Sequence, residues 1–141
     1  MTKPRAFALA LLMLASGCAS VGPRPVPAAS VGAGASAIPP GIVDGNAAHA
    51  LVASGVKVVD VRTPQEFQAG HVPGAVNIPH DQMDARHAEL GPPSTPVLLY
   101  CRTGHRSGIA RKALSERGFT ALYDLQAYSR WLESEPDAGG R

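Results

Sequence analysis

Apolar positions between residues 41 and 135 recur in two rhythms that take turns along the chain. Residues 47–54 place Ala48, Leu51 and Val52 at helical spacing and stop at Gly55, so a helix is expected there. Residues 56–61 are β-branched and read as a strand ending in Asp60-Val61-Arg62. Residues 64–69 form a short helix, with Thr63 as N-cap and Glu66 at the capping-box spacing. A short strand at 75–78 and a polar surface helix at 81–90 follow, ended by Gly91-Pro92-Pro93. Residues 96–100 are the most apolar strand and are expected at the centre of a sheet. A helix over 108–117 should bury Ile109, Ala110, Ala113 and Leu114 before Gly118; a strand at 121–123 and a helix at 128–133 carrying Trp131 close the pattern. Alternating strands and helices predict an α/β fold, a central and mostly parallel β-sheet with helices on both faces. Such sheets bind ligands beyond the C-terminal ends of their strands.

Outside that stretch the composition changes. Lys3 and Arg5 precede an apolar run at 6–14 that is too short to span a bilayer, and Ala15-Ser16-Gly17 lead into Cys18. Residues 1–17 therefore read as a signal peptide that resembles those of bacterial lipoproteins, with Cys18 as the lipidated residue; an ordinary cleaved signal is the alternative. Leu14 lies one position further from the Cys than that pattern usually has it. Residues 18–40 then form a tether rich in Ala, Gly and Pro, with a mean span of about 25 Å. The domain is expected over 41–135 and a frayed tail over 136–141. These features place the domain in the cell envelope, on the periplasmic side. Ala19 favours the outer membrane; a soluble periplasmic or secreted form is the alternative.

Charge adds little. The formal net charge of +2 resides in Lys3 and Arg5, and no basic stripe points to nucleic acid. Cysteine usage says more. The chain has two Cys, and lipidation of Cys18 leaves Cys101 without a disulfide partner in a compartment that permits disulfides.

Cys101 also stands where a thiol becomes reactive. It opens Cys101-Arg102-Thr103-Gly104-His105-Arg106, between an apolar strand and a helix. Loop amides and a helix N-terminus favour thiolate over thiol, Arg102 and Arg106 add positive charge, and the same donors can hold a small anion. Gly104 suits a loop whose amides turn inward, and Ser107 is a natural N-cap. Arg62 should face the same crevice as a functional residue, with a solvated surface Arg as the alternative. Asp60 should hydrogen-bond loop amides or an Arg and hold the cradle in shape. His71 reads as a turn residue bonding its own backbone, with catalysis as the alternative. His105 either orients an acceptor or faces solvent. His80, Asp84 and His87 share a helical face but lack a fourth ligand, so neither metal nor cofactor is called for.

Three segments together resemble a known family: residues 60–67 (DVRTPQEF), residues 70–79 (GHVPGAVNIP) and the Cys101 loop. In this order they look like a single-domain rhodanese, a sulfurtransferase, over about residues 43–131. The resemblance implies a persulfide on Cys101 cradled by the amides of the loop through Thr103, Gly104 and His105. It implies anion binding by Arg62, Arg102 and Arg106. Related phosphatases and arsenate reductases have one residue more between Cys and Arg, so the shorter loop here favours a single sulfur atom over a tetrahedral oxyanion. One departure stands out. Gln126-Ala127 occupies the place of a Gly-Gly pair that usually precedes the Trp, which puts side chains near the rim of the pocket.

Two functions follow from these residues. The first is an enzyme that takes a sulfane sulfur from thiosulfate or a similar small anionic donor and passes it to a nucleophile. The second is a membrane-tethered persulfide carrier or anion-binding module with little turnover, discharged by an envelope thiol or protein.

Overall fold

A computed structural model of the chain describes residues 38–134. The expected signal peptide, Cys18, most of the expected tether and the expected tail lie outside the described residues.

The sheet has five strands in the order β1-β5-β4-β2-β3, and every pairing is parallel. In chain order the elements are β1 (Gly41–Ile42), α1 (Gly45–Ala53), β2 (Lys57–Asp60), α2 (Pro64–Ala69), β3 (Val76–Asn77), α3 (Met83–Arg86), a 3-10 turn (His87–Leu90), β4 (Val97–Cys101), α4 (His105–Glu116), β5 (Leu122–Ala127) and α5 (Tyr128–Glu133). β4 lies in the middle, as its apolar composition requires, and all five of its residues are buried.

Period-two alternation along β4 sorts the core into two faces. Leu98 and Tyr100 join Val58, Leu125, Ala48 and Leu51 of α1, and Trp131 of α5. Val97, Leu99 and Cys101 join Val59, Met83, Leu90, and Ala110 and Leu114 of α4. Helices therefore cover both faces. Each fully buried Leu contributes about 2 kcal/mol relative to exposure.

Local signals account for several boundaries. Asp44 caps α1 by accepting from the Ala47 amide at 2.8 Å. Thr63 and Glu66 complete the expected capping box of α2, whose Pro64 starts the first turn.

Other expectations need correction. The helix expected over 81–90 is a single α-turn followed by a 3-10 turn. α4 starts at His105, and its N-cap is Gly104 rather than Ser107. Ile109 is 43% exposed, because the buried stripe of that helix runs through Ser107, Ala110 and Leu114. β5 extends to Ala127, well beyond the expected strand, since it pairs with β4 and also takes β1 on its other side.

Candidate functional site

β2 and β4 are neighbours in parallel register, so Asp60 lies opposite Tyr100, one residue before Cys101. Both motifs thus leave the sheet at the same end, beyond the C-termini of the two strands.

Cys101 is the last residue of β4 and is fully buried. Beyond it the chain turns sharply through Gly104, whose φ of +100° is costly for any residue with a Cβ. The turn aims the Gly104 N–H at the sulfur, with N···Sγ 3.0 Å. Ser107 sits in the first turn of α4. Its hydroxyl donates to the Gly104 carbonyl at 3.0 Å, and its oxygen accepts from the Cys101 thiol, with Sγ···Oγ 3.8 Å. Burial pushes the Cys101 pKa up. The backbone N–H groups of Ser107, Thr103 and Gly104, with the Ser107 hydroxyl, outweigh it and leave the pKa below the ordinary thiol value. Cys101 is therefore a buried sulfur prepared to carry negative charge by main-chain dipoles.

The three arginines of the sequence reading differ sharply. Arg62 is held by Asp60: its Nε lies 3.0 Å from each carboxylate oxygen and its Nη2 2.6 Å from Oδ2. The same Nη2 donates to the Gly70 carbonyl at 2.6 Å, and the Arg62 amide donates to Asp60 Oδ1 at 2.9 Å. Asp60 is fully buried and Arg62 only 6% exposed. The guanidinium also stacks on Tyr128, 4.6 Å from the ring centre, and lies 5.5 Å from the ring of Tyr100. Burial alone would lower the Arg62 pKa; Asp60 reverses this and raises it.

Arg106 is likewise engaged. It makes a two-pronged pair with Glu66, Nη1···Oε2 2.7 Å and Nη2···Oε1 2.9 Å. Arg106 in turn holds the Glu66 carboxyl down to about 2. This pair ties the capping box of α2 to the first turn of α4. Arg102 is different again. It is exposed and has no hydrogen-bond or ionic partner among the described residues. Arg62, Glu66, Arg102, Tyr128 and Leu132 line an open cleft of about 440 Å³ beside the loop.

The remaining candidates separate clearly. His71 bonds its own turn through Nδ1 to the Phe67 carbonyl at 2.8 Å and stacks on the Phe67 ring. Thr103, on the loop, and His105, the first residue of α4, are exposed. Asp84 is paired with Arg117, and His87 Nδ1 contacts the Asp84 carbonyl, so these side chains are engaged locally.

Two further residues contribute to the site. Tyr128 covers Arg62, and Asn77 Nδ2 donates to the carbonyls of Asp60 and Arg62 at 3.0 Å each, bracing the end of β2. Asn77 lies within one of the recognised segments, but nothing in its local pattern indicated that it braces β2.

Several known proteins are similar to this chain. The thiosulfate sulfurtransferase PspE of Escherichia coli is 43% identical over 63 residues, 44% of this chain and 61% of the relative. Thiosulfate sulfurtransferase 16 of Arabidopsis thaliana is 33% identical over 107 residues, 67% of this chain and 89% of the relative. An uncharacterized Bacillus subtilis protein, YqhL, is 41% identical over 76 residues, 53% of this chain and 60% of its own length. Among solved structures, an E. coli rhodanese with anions matches at TM-score 0.52 and 34% identity, covering 54% of this chain and 91% of that one. The human single-domain sulfurtransferase TSTD1 matches at TM-score 0.59 and 27% identity, covering 70% and 99%. The relatives named as sulfurtransferases support sulfur transfer of the rhodanese type in general. The Rhodanese-like domain family itself matches residues 45–134. Because that match runs from the start of α1 past the end of α5 and takes in the Cys101 loop, the chain belongs to the rhodanese-like family.

Proposed function

We propose that the protein is a thiosulfate sulfurtransferase that works through a persulfide on Cys101. The observation that carries this reading is the sulfur at the end of β4, faced by loop amides that lower its pKa despite full burial. In the first step the Cys101 thiolate attacks the outer sulfur of thiosulfate. A new S–S bond forms, the S–S bond of thiosulfate breaks, and sulfite leaves with its electron pair. In the second step a nucleophile attacks the outer sulfur of the persulfide, for example cyanide, which becomes thiocyanate. The thiolate is thereby restored, and the kinetics are ping-pong. Negative charge rests near the same amides in the thiolate and in the persulfide, so these preset donors supply several kcal/mol where charge moves. Arg102 is the arginine free to meet the donor anion at the mouth of the cleft, while Arg62 and Arg106 hold the walls in shape.

The proposed setting is the cell envelope, with lipid on Cys18 and the domain held on its tether facing the periplasm. A Cys18→Ser protein recovered from the soluble rather than the membrane fraction is the expected sign of that anchor.

A second reading draws on the buried sulfur and on Gln126, whose side chain closes on Gly104. On this reading the module carries sulfur to an envelope protein and shows little turnover with small acceptors.

Intact-mass spectrometry after incubation with thiosulfate tests the transfer. The expected result is a gain of one sulfur mass, lost on adding cyanide and absent in Cys101→Ser. A persulfide that forms but survives cyanide favours the carrier. No adduct on a reduced thiol overturns both.

A further inference from the structure

Gln126 is the one residue other than glycine with positive φ among the described residues, at +70°. A side chain in that conformation costs about 1 kcal/mol or more unless its surroundings hold it there. Here they do so in two ways. The Gln126 amide donates to Asp124 Oδ1 at 2.8 Å, and the Asp124 side chain is itself buried. The pairing of β5 with β4 also slips by one residue: Leu99 faces Asp124, but Tyr100 faces Gln126. The extra residue, Leu125, is fully buried against Leu98 and Tyr100 on the α1 side of the sheet. Such a bulge re-aims the side chain that follows it.

The side chain is re-aimed onto Gly104. A Cβ built on Gly104 would stand 3.0 Å from Gln126 Cβ, 3.5 Å from Cγ and 3.6 Å from Cδ. The stem of Gln126 therefore lies along the bare Cα of the residue whose N–H points at the Cys101 sulfur. The outer side of this contact opens on a second cleft, lined by Gly108, Arg111 and Ser115 of α4. Without the Gln126 stem, Gly104 would face that open space. A glycine with nothing against it can leave φ +100° without a steric barrier from its own side chain.

We propose that Gln126 is a positioning residue, a strained buttress that holds the Gly104 N–H on the Cys101 sulfur and so sets how readily that sulfur ionises. The inference deepens the function proposed above, since it concerns the same sulfur. Its test needs no sulfur donor, so the two can fail separately.

The experiment measures the rate of Cys101 alkylation by iodoacetamide against pH in the full chain carrying Cys18→Ser, which leaves Cys101 as the one thiol, read by intact mass. Glycine suits φ +70°, so Gln126→Gly is expected to fold while losing the buttress. Its alkylation midpoint should rise by about half a pH unit or more, which slows alkylation about threefold below the midpoint. Gln126→Asn keeps two side-chain carbons against Gly104 and tolerates positive φ, so its midpoint should stay close to that of the parent. Unchanged ionisation in Gln126→Gly would overturn the proposal. So would an Asn variant with the midpoint raised as far as in Gly, because contact with Gly104 would then not be the cause.

Discussion

The ends of β2 and β4 lie side by side, and each buries a polar group completely, Asp60 in one and Cys101 in the other. They manage that burden in opposite ways. Asp60 meets a full opposite charge on a side chain two residues away, and the pair satisfies itself with help from Gly70. Cys101 meets partial charges fixed in the main chain. A carboxylate locked to a guanidinium makes a wall. A sulfur faced by amides keeps its reactive orbital and can exchange one bonded atom for another without breaking an ion pair. The arginine beside each motif follows the same logic: Arg62 is absorbed into structure, and Arg102 has no partner among the described residues.

The contrast breaks most visibly at Asp60. Asp60→Ala leaves the Arg62 guanidinium buried without its partner and should cost about 3–5 kcal/mol of stability by chemical denaturation. A loss below about 1 kcal/mol would show that Arg62 reaches solvent and that the wall does not need the pair.

A smaller effect is expected at the exposed arginine. Arg102→Ala removes one solvated charge from the cleft mouth, worth about 1 kcal/mol, so the KM for thiosulfate should rise about fivefold with kcat little changed. Steady-state kinetics would refute this if kcat fell and KM held.

The smallest concerns the strap between α2 and α4. Glu66→Gln should lower stability by about 0.5–1 kcal/mol at neutral pH, since the pair is partly solvated. The folded state depresses the Glu66 pKa from 4.5 to about 2, so the pair's contribution is complete above the upper value and disappears as pH falls through the lower one. Unfolding midpoints of parent and variant should therefore converge in acid. A gap that persists below pH 2 would assign the loss to packing instead.

Legibility followed range. α2 was readable in full because Thr63, Pro64 and Glu66 settle its start within one turn. α5 was readable too, and the central place of β4 followed from its unbroken apolar composition. β1 was not, since two residues carry no period, and they pair only because Tyr123 and Asp124 lie alongside. α4 starts three residues before the expected position, because Ser107 looks like a cap but bonds the Gly104 carbonyl from inside the first turn. Within the site, Cys101 and its amide loop were legible as a unit. Which arginines remain free was not, because Glu66 reaches Arg106 across a separation of 40 residues.

The alternation of strands and helices, the thiol at the end of the most buried strand and the glycine that lets its loop turn inward all depend on chemistry within a few residues, and so are legible in the chain itself. That Arg62 and Arg106 face carboxylates, that β5 bulges at Leu125 and that Gln126 closes on Gly104 came with tertiary packing. Those outcomes turn on which groups meet when separate elements pack. A local pattern holds the charges and the shapes but not the distances between them.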